Sequence, residues 1–230
     1  MSLNILLTGA SRGIGAACAT ILKSKDTRLF AASSQDADLS AAGGADALWD
    51  KAVEALGGRI DILINNAGIF EATPLDASDA DWLAGWSRTM TVNLEAAALL
   101  CRKAVLHWQQ RRSTGRIVNV ASRAAYRGDS PAHWHYAASK GGMVAMTKTI
   151  ARAYAAEGIY AFAVCPGFTR TGMAEDYLAS RGGDTLLADI PLGKVADPEE
   201  IAAIVKFLVH DAPPSMTGAV LDANGASYVR

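Results

Sequence analysis

The chain has 230 residues, half of them hydrophobic, with 22 basic and 23 acidic side chains and a formal net charge of -1. That length supports one well-buried core, and the near-neutral balance leaves little electrostatic drive towards nucleic acid or anionic membranes. The apolar runs are short and broken by glycine, asparagine, aspartate or charge, so none approaches the roughly 20 residues that cross a bilayer.

Met1 to Asn4 leads directly into the run Ile5-Leu6-Leu7, without the basic region, long apolar stretch and cleavage site of a signal peptide. A cytoplasmic location is expected. Cys18, Cys101 and Cys165 are odd in number, far apart and set among apolar residues, with no Cys-x-x-Cys spacing. They read as reduced, buried thiols.

Short β-branched runs alternate with longer stretches of helical periodicity, which predicts one α/β domain over residues 1–230, a doubly wound parallel sheet with helices on both faces. Strands are expected near 4–8, 28–32, 60–65, 116–121, 159–165 and 218–222. The first runs into Thr8-Gly9-Ala10-Ser11-Arg12-Gly13-Ile14-Gly15, which opens a helix. Glycines in such a turn let the backbone approach a phosphate, and the helix end offers free N–H groups and a positive dipole. Gly9, Ser11, Arg12, Gly13, Ile14 and Gly15 are therefore candidate phosphate-site residues. In the helix, Ile14, Ala17, Cys18, Ile21 and Leu22 follow the spacing of a buried face.

After the second strand come Ser33 and Ser34, and the interval from Ser33 to Arg59 has only 27 positions. A right-handed crossover needs roughly a dozen residues or more, so two crossovers and a strand between them do not fit. One helix, around Ala47–Leu56, already occupies part of it. The chain then passes Asn65-Asn66-Ala67-Gly68 at the end of the third strand, and Asn93 within a helical stretch.

Ser122 closes the apolar run Ile117 to Val120. Tyr136 and Lys140, four residues apart on a predicted helix, share one face. A phenol titrates near 10, and a nearby ammonium stabilises the phenolate, so the pair suits proton exchange with a substrate oxygen. By itself the pair is also a common surface packing pair. His133, Trp134 and His135 precede it and are open to three readings: substrate contact, loop packing or, lacking a third ligand at suitable spacing, metal binding last. Gly141-Gly142 inside the helix costs roughly 1 kcal/mol per glycine relative to alanine, which points to close backbone approach. Pro166-Gly167, with Thr169 and Thr171, ends the fifth strand. Gly172 to Gly193 reads as a lid over a site, and Asp197, Pro198 and Glu200 as the capped start of a last helix.

Taken in order, the Gly-x-x-x-Gly-x-Gly turn, Asn65-Asn66-Ala67-Gly68, Asn93, Ser122, Tyr136 with Lys140, and Pro166-Gly167 resemble the short-chain dehydrogenase/reductase family. The chain's end, Leu221 to Tyr228, and Ile190-Pro191-Leu192-Gly193 resemble the β-ketoacyl-(acyl-carrier-protein) reductase branch. The resemblance implies a Rossmann-like oxidoreductase that moves hydride between nicotinamide and a small-molecule carbonyl or alcohol. It implies Tyr136 as general acid/base, Ser122 bonded to the substrate oxygen, Lys140 on the nicotinamide ribose and Asn93 holding a water beside Lys140. Cofactor contacts are implied at Asn65, Ala67, Gly68, Pro166, Gly167 and Thr169 or Thr171. Relative to the family one strand and one helix are missing, leaving about six strands, with Asp38-Leu39-Ser40 as the remnant of the absent strand's end. Asp38, Leu39, Ser33 and Ser34 then border the adenosine. Ser33 and Ser34 stand where NAD-dependent relatives place an acid, and Arg12 resembles the base that meets a 2′-phosphate, so NADP(H) is favoured and NAD(H) stays possible. A homo-oligomer, tetramer or dimer, is implied too. A catalytically weak dinucleotide-binding regulatory protein is the alternative; a nucleotide- or S-adenosylmethionine-dependent transferase lacks a visible site.

Overall fold

In the computed structural model, residues 2–171 and 187–230 are described. Six strands form one sheet: β1 (Leu3–Leu7), β2 (Thr27–Ala31), β3 (Ile62–Asn65), β4 (Gly115–Val120), β5 (Ile159–Pro166) and β6 (Val220–Ala223). Their order is β2-β1-β3-β4-β5-β6, every pair parallel. Each expected strand is present within two residues of its place. The helices are α1 (Gly13–Ile21), α2 (Gly44–Ala55), α3 (Asp79–Met90), α4 (Ala96–Arg111), α5 (Ala124–Arg127), α6 (Trp134–Tyr154) and α7 (Pro198–His210), with one π-helical turn, Thr91–Glu95, between α3 and α4.

Alternation along the strands builds two cores. Leu6, Leu63, Ile117 and Ala161 point to one face, where α2 and α4 bring Leu48, Trp49, Ala52, Leu100 and Trp108. Ile5, Leu7, Ile64, Val118, Phe162 and Val164 point to the other, where Cys18 of α1 and Ile201, Val205 and Leu208 of α7 meet them. Burial of these side chains from both sides is what a parallel sheet requires. Trp108 is fully buried, donates from Nε1 to the Ile60 carbonyl at 2.7 Å, and lies where a Cβ on Gly115 would overlap its ring.

The helix ends follow local chemistry. At the start of α7 the Asp197 N–H donates to the Glu200 carboxylate at 2.7 Å, closing a capping box behind Pro198. Ser78 caps α3 by accepting from the Asp81 N–H at 3.2 Å.

Between β2 and β3, all of it described, α2 is the sole helix and there is no strand, so β2 is an edge. Ala37 and Leu39 tuck beside Phe30 against the α2 core. The short connection is thereby folded over the face where a longer one would pass. Within α6, a Cβ on Gly142 would stand 2.7 Å from Leu94 Cδ2, whereas one on Gly141 would meet only the Ala125 carbonyl at 3.6 Å. The close approach expected of this glycine pair is thus made by Gly142 inside the chain, so the pair carries no argument for a second subunit.

Candidate functional site

The chain runs from β1 outward to β2, then crosses to β3 on the other side of β1, and the crevice lies at the carboxyl ends of the strands around this switch point. Such a crossing leaves room for a ligand between diverging loops. The cavity holds about 400 Å³, within the usual range for a small-molecule site.

Its floor is the glycine turn. Gly9 has φ +68, and a Cβ there would come 2.7 Å from Ala67 Cα, while a Cβ on Gly15 would overlap the Gly9 carbonyl. Only glycine lets α1 begin this close to the strand end. The turn is stitched to the next loop: Asn66 Nδ2 donates to the Thr8 and Gly9 carbonyls at 3.1 and 3.0 Å. Thr8 Oγ1 accepts from the Asn66 and Ala67 N–H groups, each at 3.0 Å. The N-terminus of α1 and a surface that no side chain fills suit a pyrophosphate, so these residues fit a dinucleotide.

Of the residues singled out from sequence, Gly9, Ser11, Arg12, Gly13, Ile14, Gly15, Ser33, Ser34, Asp38, Leu39, Ala67, Gly68, Ser122, Tyr136, Lys140, Pro166, Gly167, Thr169 and Thr171 all line this one crevice. Two do not. Asn65 turns its side chain into the core, donating to Asn119 Oδ1 at 2.9 Å, and Asn119 donates on to Thr147 Oγ1 at 2.8 Å. Asn66 lines the crevice in its place. The alternation of β3, with Leu63 and Asn65 on one face, is the signal that separates the two asparagines.

Asn93 is fully buried in the π-helical turn. Its Oδ1 accepts from the Ile69 N–H at 2.8 Å and its Nδ2 donates to the Ile69 carbonyl at 2.9 Å. Its side chain clamps the loop after Gly68 rather than facing the crevice.

At the end of the crevice beside β2, Ser33 is tied to Asp36, whose carboxylate also meets Lys51 at 3.1 Å. Those bonds and that cation hold Asp36 below the usual carboxylate range and turn it away from the crevice. Asp38 is exposed and binds the Ser40 N–H and hydroxyl at 2.8 and 2.7 Å. Arg12, at the start of α1, has no ion-pair partner among the described residues, and Arg88 of α3 also borders the cavity, paired with Glu71 at 3.2 Å. Arg88 and Phe70 went unmarked in the sequence because nothing local distinguishes them.

The opposite end holds Ser122, Tyr136 and Lys140. β4 delivers Ser122 just past its last residue, and the first turn of α6 delivers Tyr136, whose phenol lies close enough to Ser122 to feel its hydroxyl. Lys140, one turn on, is 4% exposed; its ammonium donates to the Val120 carbonyl at 3.0 Å and stands 5.8 Å from the centre of the Tyr136 ring. Burial lowers the Lys140 pKa to about 8. Burial pushes the Tyr136 phenol up to about 12, against the pull of the Ser122 hydrogen bond. The sequence led us to expect an acidified phenol. In the protein alone desolvation wins, because the ammonium is itself buried and bonded to a main-chain carbonyl.

His133 and His135, at the start of α6, are 3% and 2% exposed and pack inward, while Trp134 is 53% exposed. Among the described residues no cluster of histidine, cysteine and carboxylates could hold a metal ion. Most of the expected lid, 172–186, lies outside the described residues.

A family model described as enoyl-(acyl carrier protein) reductase matches residues 9–225. A 3-oxoacyl-(acyl-carrier-protein) reductase of Vibrio cholerae is 33% identical over 243 residues, covering 97% of this chain and 96% of the relative. An acetoacetyl-CoA reductase of Shinella zoogloeoides is 33% identical over 244 residues, covering 99% of each. A protein described as an NAD(P) dependent gluconate 5-dehydrogenase from Beutenbergia cavernae, solved with bound NADP, superimposes with a TM-score of 0.87 at 30% identity, covering 98% of this chain and 96% of that one. By motif, by fold and by likeness over nearly its whole length, the chain belongs to the short-chain dehydrogenase/reductase family of oxidoreductases.

Proposed function

We propose that this protein is an NADP(H)-dependent reductase of small-molecule ketones or aldehydes, of the 3-oxoacyl type, with Tyr136 as its proton donor. The observation that carries the reading is the convergence of Ser122, Tyr136 and Lys140 on the same crevice as the glycine turn. The relatives named for 3-oxoacyl and acetoacetyl reduction, and the NADP in the structural neighbour, support it.

The dinucleotide would lie with its pyrophosphate on Gly9 to Gly15, its adenosine half by Ser33, Ser34, Asp38 and Leu39, and its nicotinamide half near Pro166, Gly167, Thr169 and Thr171. When bound, it supplies the hydride. Ser122 and Tyr136 hold the substrate oxygen between two hydroxyls, which fixes the carbonyl carbon. A phenol with a pKa pushed up to about 12 is fully protonated at neutral pH and has its proton ready for the developing alkoxide. The Lys140 ammonium beneath it adds positive charge where negative charge develops. Arg12 favours the 2′-phosphate of NADP. The complete set of reactive side chains argues against a binding protein without turnover. No described helix is long and apolar enough to cross a membrane, in keeping with a cytoplasmic enzyme. Exposed Leu99 and Leu106 on α4 support a homo-oligomer.

The test is NADPH oxidation over a panel of 3-oxo esters, repeated with Tyr136→Phe. Loss of a positioned acid lowers the rate by about 10² to 10⁴, with NADPH affinity retained. Unchanged turnover in that variant would overturn the role of Tyr136.

A further inference from the structure

The first turn of a helix leaves its leading N–H groups without partners inside the helix, and the residue before it usually supplies a cap. At α6 that residue is His133, whose side chain makes no bond to these groups. Tyr136, third in the helix, holds the position such a cap would serve. Its N–H donates instead to Nδ1 of the preceding His135, at 2.8 Å. Accepting there puts the proton of a neutral ring on Nε2, which donates to Thr73 Oγ1 at 2.8 Å. Tyr136 therefore rests on an imidazole that has to be uncharged.

Thr73 belongs to the loop after Gly68 and is itself fixed. Its N–H donates to the Ala132 carbonyl at 2.9 Å, and a Cβ on Gly85 of α3 would overlap its hydroxyl. Thr73 and His135 are both buried, so the loop, α3 and α6 meet at one enclosed hydrogen bond. The Trp86 ring of α3 borders the imidazole, with centroids 6.5 Å apart, and the His133 ring meets it edge-on at 6.2 Å. Glu71, on the same loop as Thr73, favours the charged ring, but burial acts more strongly and holds His135 below the ordinary histidine value. The other main-chain group of Tyr136 is held as well: Ser139 Oγ donates to its carbonyl at 2.7 Å and accepts from Asn93 Nδ2 at 3.3 Å. Side chains thus grip the Tyr136 backbone on both sides, and the backbone aims the phenol.

Resting on the reductase reading above, we infer that His135 is a positioning residue for the reaction: its neutral ring holds the Tyr136 amide and, through Thr73, anchors it so that the phenol stays beside Ser122 and Lys140. An imidazolium cannot accept the Tyr136 N–H, and it sets a positive charge at the positive end of the α6 dipole. Acid therefore loosens Tyr136 without changing the phenol, whose own proton is held up to about 12. The loss falls on kcat, because the dinucleotide cradle from Gly9 to Gly15 is built on other elements.

The experiment combines NMR of protein labelled with ¹⁵N-histidine and ring-labelled tyrosine with NADPH oxidation on ethyl acetoacetate. Both run from pH 5 to 7.5, below the value of about 8 to which burial lowers Lys140. In the wild type, His135 should show a bare Nδ1, a protonated Nε2 and a midpoint below 6.5, and kcat should fall with acid through that same midpoint. His135→Asn puts an acceptor that does not titrate where Nδ1 stands, His135→Gln keeps only a group in place of Nε2, and His135→Phe keeps only the ring. The His135→Asn variant is expected within about threefold of wild-type kcat at pH 7.5, without the fall in acid. His135→Gln and His135→Phe are expected to lower kcat about tenfold or more, as misplacement by an ångström can. Their KM for the ester and calorimetric Kd for NADPH should change far less. A protonated Nδ1, a His135→Asn variant no better than His135→Phe, or an unchanged acid response in His135→Asn would overturn the proposal. If the wild type oxidises NADPH with no 3-oxo ester, a Tyr136 ring signal displaced in His135→Phe and not in His135→Asn would support the hold on Tyr136 and overturn the reductase reading instead.

Discussion

The Lys140 ammonium donates to the main-chain carbonyl of Val120 at 3.0 Å, tying α6 to the end of β4 two residues before Ser122. The bond aligns Tyr136 and Ser122, yet it holds a charge in a place that disfavours charge. Burial lowers Lys140 from 10.5 to about 8, so the unfolded chain holds this proton more tightly between those values. Stability should then rise with pH across that window, since the unfolded state gives up a proton that the folded state has already lost. Tyr136, pushed up from 10.0 to about 12, opposes this only above pH 10. Urea unfolding of the wild type and Lys140→Met, at pH 7.5 and 9.5, should show the wild type gaining on the variant at the higher pH. An identical pH response in both proteins would contradict the buried-charge account.

Arg12 is exposed at the mouth of the glycine turn, and Asp36, the acid nearest the end of β2, is turned onto Ser33 and Lys51. The adenosine end should therefore prefer the extra phosphate. A charge-assisted hydrogen bond is worth about 1.5–3 kcal/mol, so Arg12→Ala should weaken NADPH about tenfold or more and leave NADH almost unchanged. Calorimetric titration of both nucleotides decides it; parallel losses would remove Arg12 from the phosphate site.

Gly115→Ala tests the packing behind β4. The added methyl overlaps the ring of Trp108, which cannot retreat because it is fully enclosed and bonded to Ile60. Overpacking of this kind costs about 1–3 kcal/mol. The urea midpoint should fall with an unchanged slope, and NADPH should still bind at low temperature. A midpoint equal to the wild type would mean that the core yields more easily than its geometry indicates.

The three thiols are fully enclosed, and burial drives Cys18 and Cys101 to about 12 and Cys165 to about 11. Thiolate, the reactive form, is scarce at pH 8. Ellman's reagent should titrate no thiol in the native protein and three in guanidinium. Rapid native labelling would show that β5 or α1 opens readily.

The six strands were legible because each is a short, largely apolar run, the four central ones buried on both faces, and the shortened interval from Ser33 to Arg59 could be counted against what a crossover needs. The glycine turn and the series Ser122, Tyr136, Lys140 were legible because their spacing is local. What escaped was set by distant partners. Asn65 and Asn66 are neighbours in one motif, and only the pleat of β3 sends the first to Asn119 and the second to Gly9. Phe70 has no marked neighbour in the chain; its place depends on His133, brought to it by the fold. The phenol's acidity was misjudged because spacing reveals that an ammonium is near, not that it is buried and already bonded to the Val120 carbonyl.

Without an outer neighbour, β2 exposes its margin to other molecules. It is five residues long, and the exposed Arg28 folds its guanidinium over the end of α2, 3.2 Å from the Ala55 carbonyl and 3.4 Å from that of Leu56. Brevity and a fixed cation are what discourage a foreign extended chain from zipping onto a bare rim. The shortened fold thus leaves its resistance to self-association, along this side, to a short strand and one fixed cation.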